Sequence, residues 1–326
     1  MTLSTGQSVP VTSPPLAVVL GPTASGKSSL GMALAATRPV EIVVADSRQV
    51  YRGMDIGTAK PSPADREAVP HHLVDLVDPD QAFTLADWLA AARAVIPEIA
   101  HRGRLPLVVG GTGLYINALV DGYDLPAQPS SPELRRRLLD EMEAEGLAPM
   151  AERLRLVAPQ LADATDLHNP RRVLRALERA AAGGGGAGQP RASAWPGPVA
   201  MIGLQRPRTE LYRRIDERTG VMFTGGLLDE VAALTAQGFG PWLPPMTGHG
   251  YREAMRVAMG EWSLDRAVEV TARHTRQYAK RQLSWFRRDA RITWIDADDG
   301  PADDPRLVAA AANEIERAVA GEASLS

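Results

Sequence analysis

The chain has 326 residues, 44% of them hydrophobic, with 36 Lys and Arg against 39 Asp and Glu and no cysteine. That length supports a large buried core plus a smaller unit, and no apolar run approaches membrane-spanning length. Without cysteine there are no disulfides, thiolate zinc sites, iron–sulfur clusters or cysteine nucleophile, and the net charge of −3 argues on average against a polyanionic partner.

Met1–Pro15 is polar and rich in Pro, Ser and Thr, with no basic stretch followed by an apolar one, so residues 1–15 read as a disordered tail. The cytoplasm is the expected location. Leu16–Leu20 is an apolar strand, and Gly21, Pro22, Thr23, Ala24, Ser25, Gly26, Lys27 and Ser28 follow it as G-x-x-x-x-G-K-[ST], with a helix over Ser29–Thr37. The chemistry needs this spacing. Gly21 and Gly26 let the backbone wrap a phosphate chain, helix amides point at the anion, Lys27 adds a point charge, and the Ser28 hydroxyl is the expected Mg²⁺ contact.

A second strand, Glu41–Ala45, ends in Asp46, followed by Ser47, Arg48, Gln49, Val50, Tyr51, Arg52 and Gly53. In a parallel sheet this carboxylate emerges at the edge where the phosphate loop opens. Asp46 thus reads as a helix cap, a magnesium-binding aspartate or a general base. The loop Asp55–Pro61 places Thr58 and Lys60 nearby. A strand is expected over Leu73–Leu76, with His71 and His72 as its polar start. Thr84 with Asp87 caps a helix running to about Arg102, kinked at Pro97 and ended by Gly103. A strand over Leu105–Val109 then opens a Gly-rich turn, Gly110-Gly111-Thr112-Gly113, where Thr112 could reach a phosphoryl or leaving oxygen. Strands alternating with helices after a phosphate loop imply a parallel sheet covered on both faces.

The character changes over 121–197. Ser131-Pro132-Glu133 is a helix start, and helical sequence continues to Ala182 with a further start at Asn169 and arginines at 171, 172 and 175. Gly183–Gly188 is low-complexity and Trp195–Pro198 turn-rich. This region reads as a helical insertion into a core made of 16–120 and 198–326. Pro198–Leu204 returns as a core strand, and the rest is mostly helical. Charge is segregated there: Arg273, Arg276, Lys280, Arg281, Arg287, Arg288 and Arg291 face only Asp289, and an acidic tail follows. Such asymmetry suits a polyanion-binding segment. On that helix Leu283 and Phe286 can face the core, and Trp285 is expected to be buried too. The histidines lack ligand spacing.

Together these motifs, with Gly250-Tyr-Arg-Glu and Tyr278-Ala-Lys-Arg-Gln, resemble the bacterial tRNA dimethylallyltransferases from about Leu16 to Arg291. The resemblance implies a P-loop NTPase-like α/β fold, and transfer of a dimethylallyl group from dimethylallyl diphosphate to the N6 amine of the adenosine 3′ of the anticodon. It implies tRNAs that read codons beginning with U. By the same resemblance Asp46 is the base, Thr112 steadies the leaving diphosphate oxygen, and Arg218 supports the diphosphate cradled by 21–28. Asp46, Ser47, Arg48, Gln49, Arg171, Arg172, Arg175, Thr247, Gly250, Tyr251, Arg252, Lys280, Arg281 and Gln282 would hold the anticodon arm. A monomer is expected.

Departures are His249, where the family usually has an aliphatic residue, Asn169 in place of a more usual Asp, and the long 183–193 loop. An ATP-dependent kinase would leave the basic helix unused, and a non-catalytic RNA-binding protein would waste the phosphate loop. An adenylate isopentenyltransferase would not need the basic C-terminal region.

Overall fold

The computed structural model describes residues 13–123, 131–183, 194–298 and 300–321. Residues 1–12 of the expected disordered tail, and 184–193 of the glycine-rich loop, lie outside the described residues. The first half of the core runs β1 (Leu16–Leu20), α1 (Lys27–Ala35), β2 (Val40–Ala45), α2 (Pro63–Ala68), β3 (His71–His72), α3 (Leu85–His101), β4 (Leu105–Gly110) and α4 (Gly113–Val120). Four helices follow: α5 (Pro132–Glu145), α6 (Leu147–Val157), α7 (Pro159–Asp163) and α8 (Pro170–Ala181). The core resumes with β5 (Val199–Gln205), α9 (Arg208–Thr224), α10 (Leu227–Ala236), a 3-10 turn (Pro244–Thr247), α11 (Tyr251–Ala258) and α12 (Leu264–Phe286). It ends with β6 (Thr293–Asp296) and α13 (Pro305–Val319).

Among the described residues the strands form one parallel sheet in the order β3-β2-β4-β1-β5-β6. β1, β2 and most of β4 and β5 are buried residue after residue, as expected where helices cover both faces. On one face Val19, Val44, Val109 and Ile202 pack with Leu30 and Leu34 of α1 and with Ala311 and Ile315 of α13. Helix α3 starts at a capping box between Thr84 and Asp87, and its buried Trp88 donates to the carbonyl of Val44 at 3.0 Å and stacks on Tyr115 at 4.7 Å. At the amino end of β2, buried Glu41 accepts from Arg102 at 3.0 and 2.7 Å and meets His72 at 2.7 Å. Among the described residues no helix is long and apolar enough to cross a membrane.

Register sets the site. Leu20 and Ala45 both pair with Gly110, so β1, β2 and β4 end level. The residues that follow, Gly21, Asp46 and Gly111, leave one carboxyl edge, where open parallel sheets bind ligands.

The chain divides into two compact units, Met1–Gly122 with Ser193–Ser326, and Tyr123–Ala192. In the second, Leu138, Met150, Leu154, Leu161, Val173 and Leu177 form a separate apolar core. Asn169 caps α8 by accepting from the amides of Arg171 and Arg172. Its helical spacing turns Val173, Ala176 and Leu177 inward and leaves Arg171, Arg172 and Arg175 exposed.

Three expectations are corrected. Leu73–Leu76 is not a strand: Leu73 and Asp75 take φ of 64° and 55°, which an extended strand excludes. Instead the amides of Asp75, Leu76 and Val77 donate to the carbonyls of Gln49 and Val50. The C-terminal segment adds a parallel edge strand, β6, whose short Thr-Trp-Ile-Asp sequence lies between strong helical signals. Trp285 is 39% exposed, resting on Gly113, where an added Cβ would come within 2.4 Å of the indole.

Candidate active site

The phosphate loop leaves β1 through Gly21 and enters α1 through Gly26, whose φ of 100° only glycine adopts readily. A Cβ at Gly26 would also lie 2.4 Å from that of Ala302. Helix α1 has no side-chain cap, so its first-turn amides remain available to an anion. Beneath the loop, buried Arg206 donates to the Ser25 carbonyl at 2.7 Å and to the carbonyls of Ala297, Asp298 and Gly300. Lys27 donates to the Pro22 carbonyl at 3.2 Å. Burial brings its ammonium down to about 8, with Asp46 opposing that shift and Arg218 adding to it.

Asp46 sits one residue beyond β2. Its Oδ1 accepts from the Arg48 amide at 2.8 Å, an Asx turn that fixes the carboxylate of a residue that borders the cavity. Thr112 is tied to the same place. Its amide donates to the Ala45 carbonyl at 3.2 Å, and its hydroxyl accepts from the Ser47 amide at 3.1 Å, so the hydroxyl proton is free to donate elsewhere. Arg218, from α9, reaches the Thr23 hydroxyl at 3.4 Å. Its burial disfavours the charged form, and Asp46 partly offsets that.

Two cavities meet here. One, of about 660 Å³, runs along Gly26, Lys27, Ser28, Arg214 and Arg218. The other, of about 260 Å³, lies between α9, α12 and the 247–251 turn. Thr23, Asp46, Arg218 and Tyr278 border both. The larger is a cationic trough suited to a diphosphate, and Asp46 stands where it opens into the smaller. Tyr278, in a motif noted from sequence but given no role there, lies close enough to Asp46 for burial and that carboxylate to raise its phenol to about 12.

Several residues expected to grip RNA also serve as braces. Gln282 is buried; its carbonyl accepts from the Thr23 amide and its amide donates to the Gly111 carbonyl, both at 2.8 Å, so its amide group ties the two Gly-rich turns together. Tyr251 is buried, and its hydroxyl donates to Glu230 at 2.5 Å. Glu230 also accepts from the amides of Asp55, Ile56 and Gly57, pinning the 55–57 loop. Sequence reading missed Glu230, which carries no motif signal. Gln49 is buried and donates to the carbonyls of Thr58 and Ala59. Lys60, expected beside Asp46, is consumed by Asp55, Asp75 and the Tyr51 carbonyl. Gly250 is buried with φ of 93° and starts α11.

Others remain presented. Arg48 donates to the carbonyls of Pro244 and Pro245, joining Asp46 to the 244–247 turn, and it borders the smaller cavity with Ser47 and Thr247. Arg252, Lys280 and Arg281 are exposed, as are Arg273, Arg287 and Arg288 further along the same segment. Arg276 is spent on Asp216. In the other unit Arg175 bridges to buried Glu178 at 3.1 Å while Arg171 stays open.

Among the described residues no group of three His, Asp or Glu could cage a metal. The exposed Ser28 hydroxyl beside Lys27 suits Mg²⁺ held chiefly by substrate phosphate oxygens, the ion's usual mode.

A phosphate loop, a strand-end carboxylate and half-buried cations around a two-part cavity suit a transferase that handles a phosphate chain. The profile of the IPP transferase family matches residues 49–289, and that of isopentenyl transferase matches 14–74. A tRNA dimethylallyltransferase of Syntrophobacter fumaroxidans is 48% identical over 289 residues, covering 87% of this chain and 84% of that one. The full-length tRNA isopentenylpyrophosphate transferase of Bacillus halodurans superposes with a TM-score of 0.69 at 37% identity, over 94% of this chain and 99% of that one. A eukaryotic dimethylallyltransferase solved acting on tRNA gives a TM-score of 0.75 at 25% identity, over 95% and 79%. The chain belongs to the tRNA dimethylallyltransferase family.

Proposed function

We propose that this enzyme transfers the dimethylallyl group of dimethylallyl diphosphate to the N6 amine of the adenosine 3′-adjacent to the anticodon, in tRNAs that read codons beginning with U. Dimethylallyl transfer to tRNA follows from family membership. The acceptor position is the one the resemblance implies, and one observation supports an amine as the acceptor: Asp46 has one oxygen fixed by the Arg48 amide, and it stands where the cationic trough meets the second cavity.

An adenine amine is a weak nucleophile because its lone pair is delocalised into the ring, whereas an allylic carbon spreads developing positive charge. Stabilising the departing diphosphate is therefore the larger task. The amides of 26–28, Lys27 and Arg218 meet that anion, and the Thr112 hydroxyl donates to the oxygen that leaves carbon. As the carbon–oxygen bond breaks and the N6–carbon bond forms, Asp46 Oδ2 takes the amine proton, leaving neutral product and diphosphate. Mg²⁺ bound through Ser28 supplies further charge neutralisation on the diphosphate.

The amine must leave its stack to reach Asp46, which suits an unpaired loop base. The exposed arginines and Lys280 of the C-terminal segment, and Arg171, Arg172 and Arg175, meet the anticodon-arm phosphates. The enzyme works as a cytoplasmic monomer. The test is incubation of an unmodified anticodon stem-loop, dimethylallyl diphosphate and Mg²⁺, then digestion and nucleoside mass spectrometry, with AMP as parallel acceptor. A dimethylallyl mass gain on the loop adenosine and none on AMP is the expected result. Gain on AMP alone overturns the acceptor assignment.

A further inference from the structure

Two residues that border the smaller cavity, His249 and Thr271, each keep a buried side-chain atom, Nδ1 and Oγ1, with no hydrogen-bond partner among the described residues. Their neighbours behave differently. In the same wall the Thr58 hydroxyl donates to the Met54 carbonyl at 2.6 Å, that of Thr219 to Ile215 at 2.8 Å, and that of Thr247 to Pro244 at 2.8 Å. Folded chains rarely leave buried polar atoms unpaired without a reason, because each forfeits its hydration. Here two share one cavity with Asp46.

The wall is also divided by chemistry. Helix α9 contributes apolar Ile215 and Met222, which suit a prenyl chain, beside Arg218 and Thr219, whereas α12 and the 247–251 turn contribute the unpaired Thr271 and His249. The His249 ring is fixed by its surroundings, 5.7 Å from that of His274 and edge-on to Tyr278 at 6.0 Å. Burial favours its neutral form, against Glu253 and with help from His274 and Arg252. A neutral imidazole offers one N–H, and the threonine hydroxyl offers one O–H.

We propose that His249 and Thr271 are specificity-determining residues for the acceptor base, donating hydrogen bonds to the ring nitrogens that flank the adenine amine while Asp46 holds the amine itself. N1 and N7 are both acceptors in adenine, whereas guanine and hypoxanthine carry a hydrogen on N1 and an oxygen in place of the amine. A carboxylate at the amine with donors beside it therefore selects adenine. This inference rests on the proposed transfer to a loop adenosine.

The experiment measures kcat/KM for anticodon stem-loops carrying adenosine, 1-deaza-adenosine or 7-deaza-adenosine, with wild type, His249→Leu and Thr271→Val. Wild type is expected to lose roughly tenfold on at least one deaza acceptor, the value of a well-placed neutral hydrogen bond. Each variant is expected to lose about as much on adenosine, with little further loss on the one deaza acceptor that lacks its own partner nitrogen. Thr271→Ser keeps its donor and is expected to retain wild-type discrimination. KM for dimethylallyl diphosphate stays unchanged throughout. Equal use of all three acceptors by wild type overturns the inference, as does an undiminished deaza penalty in both variants. Absence of any transfer to the adenosine loop would instead overturn the proposed function, so the two failures are distinguishable.

Discussion

Asp46→Asn isolates proton removal from architecture. Asparagine keeps an oxygen at Oδ1, so the 2.8 Å bond from the Arg48 amide and the turn into Arg48–Pro244 survive. What changes is the other position, where an amide cannot take a proton. Loss of a positioned base costs about 10²–10⁴ in rate, or about 3–5 kcal/mol of barrier. The charge change also reaches the donor. The Asp46 carboxylate favours the charged form of Lys27, so in the variant Lys27 becomes neutral at a lower pH, and KM for dimethylallyl diphosphate should begin to climb at lower pH than in wild type. Single-turnover transfer at saturating donor and stem-loop reads the rate, and filter binding reads the RNA. A variant that keeps near wild-type rate would refute the base assignment. So would one that loses RNA affinity as much as it loses rate.

Further expectations concern the supports. With Lys27 brought down to about 8, the ammonium is charged below that pH and neutral above it, so KM for dimethylallyl diphosphate should climb as pH rises past about 8. Lys27→Arg, which stays charged, should flatten the climb. Gln282→Ala removes the bridge between Thr23 and Gly111; donor KM should rise roughly fivefold to tenfold with RNA affinity unchanged, the reverse of a tRNA contact. Glu41 is held down to about 2, chiefly by hydrogen bonds from Arg102 and with help from His72. Its depressed pKa makes that stabilisation complete above about 4.5, and it is lost as pH falls toward 2. Because Arg102 is 44% exposed, Glu41→Gln should cost on the order of 2 kcal/mol, read as a lower Tm, with activity at 25 °C retained.

Much of this was legible because the relevant signals are local. A phosphate loop needs its glycines and lysine at fixed offsets, and strand ends in a parallel sheet bring motifs from distant sequence to one edge. Asp46 and Thr112 were found that way, as was the cap at Thr84. Local signals fail where a side chain serves a remote partner. Gln282 lies in a basic segment that reads as RNA-facing, yet it bonds Thr23 and Gly111, 259 and 171 residues away. Glu230 looks like any helical glutamate until three loop amides and Tyr251 converge on it. Leu73–Leu76 has the apolarity of a strand, but it turns because its amides serve Gln49 and Val50. Trp285 follows the helical period that buries its neighbour Phe286, yet its indole rests on a glycine at the surface.

The claim that the phosphate loop serves a departing diphosphate is tested most directly by stoichiometry. Wild-type enzyme, stem-loop, Mg²⁺, dimethylallyl diphosphate and ATP are combined, and the prenyl group on RNA, the released diphosphate and the remaining ATP are counted. The account predicts one diphosphate for each dimethylallyl group gained by the RNA, with ATP untouched. Loss of the ATP γ-phosphate without a prenyl gain on RNA would contradict it.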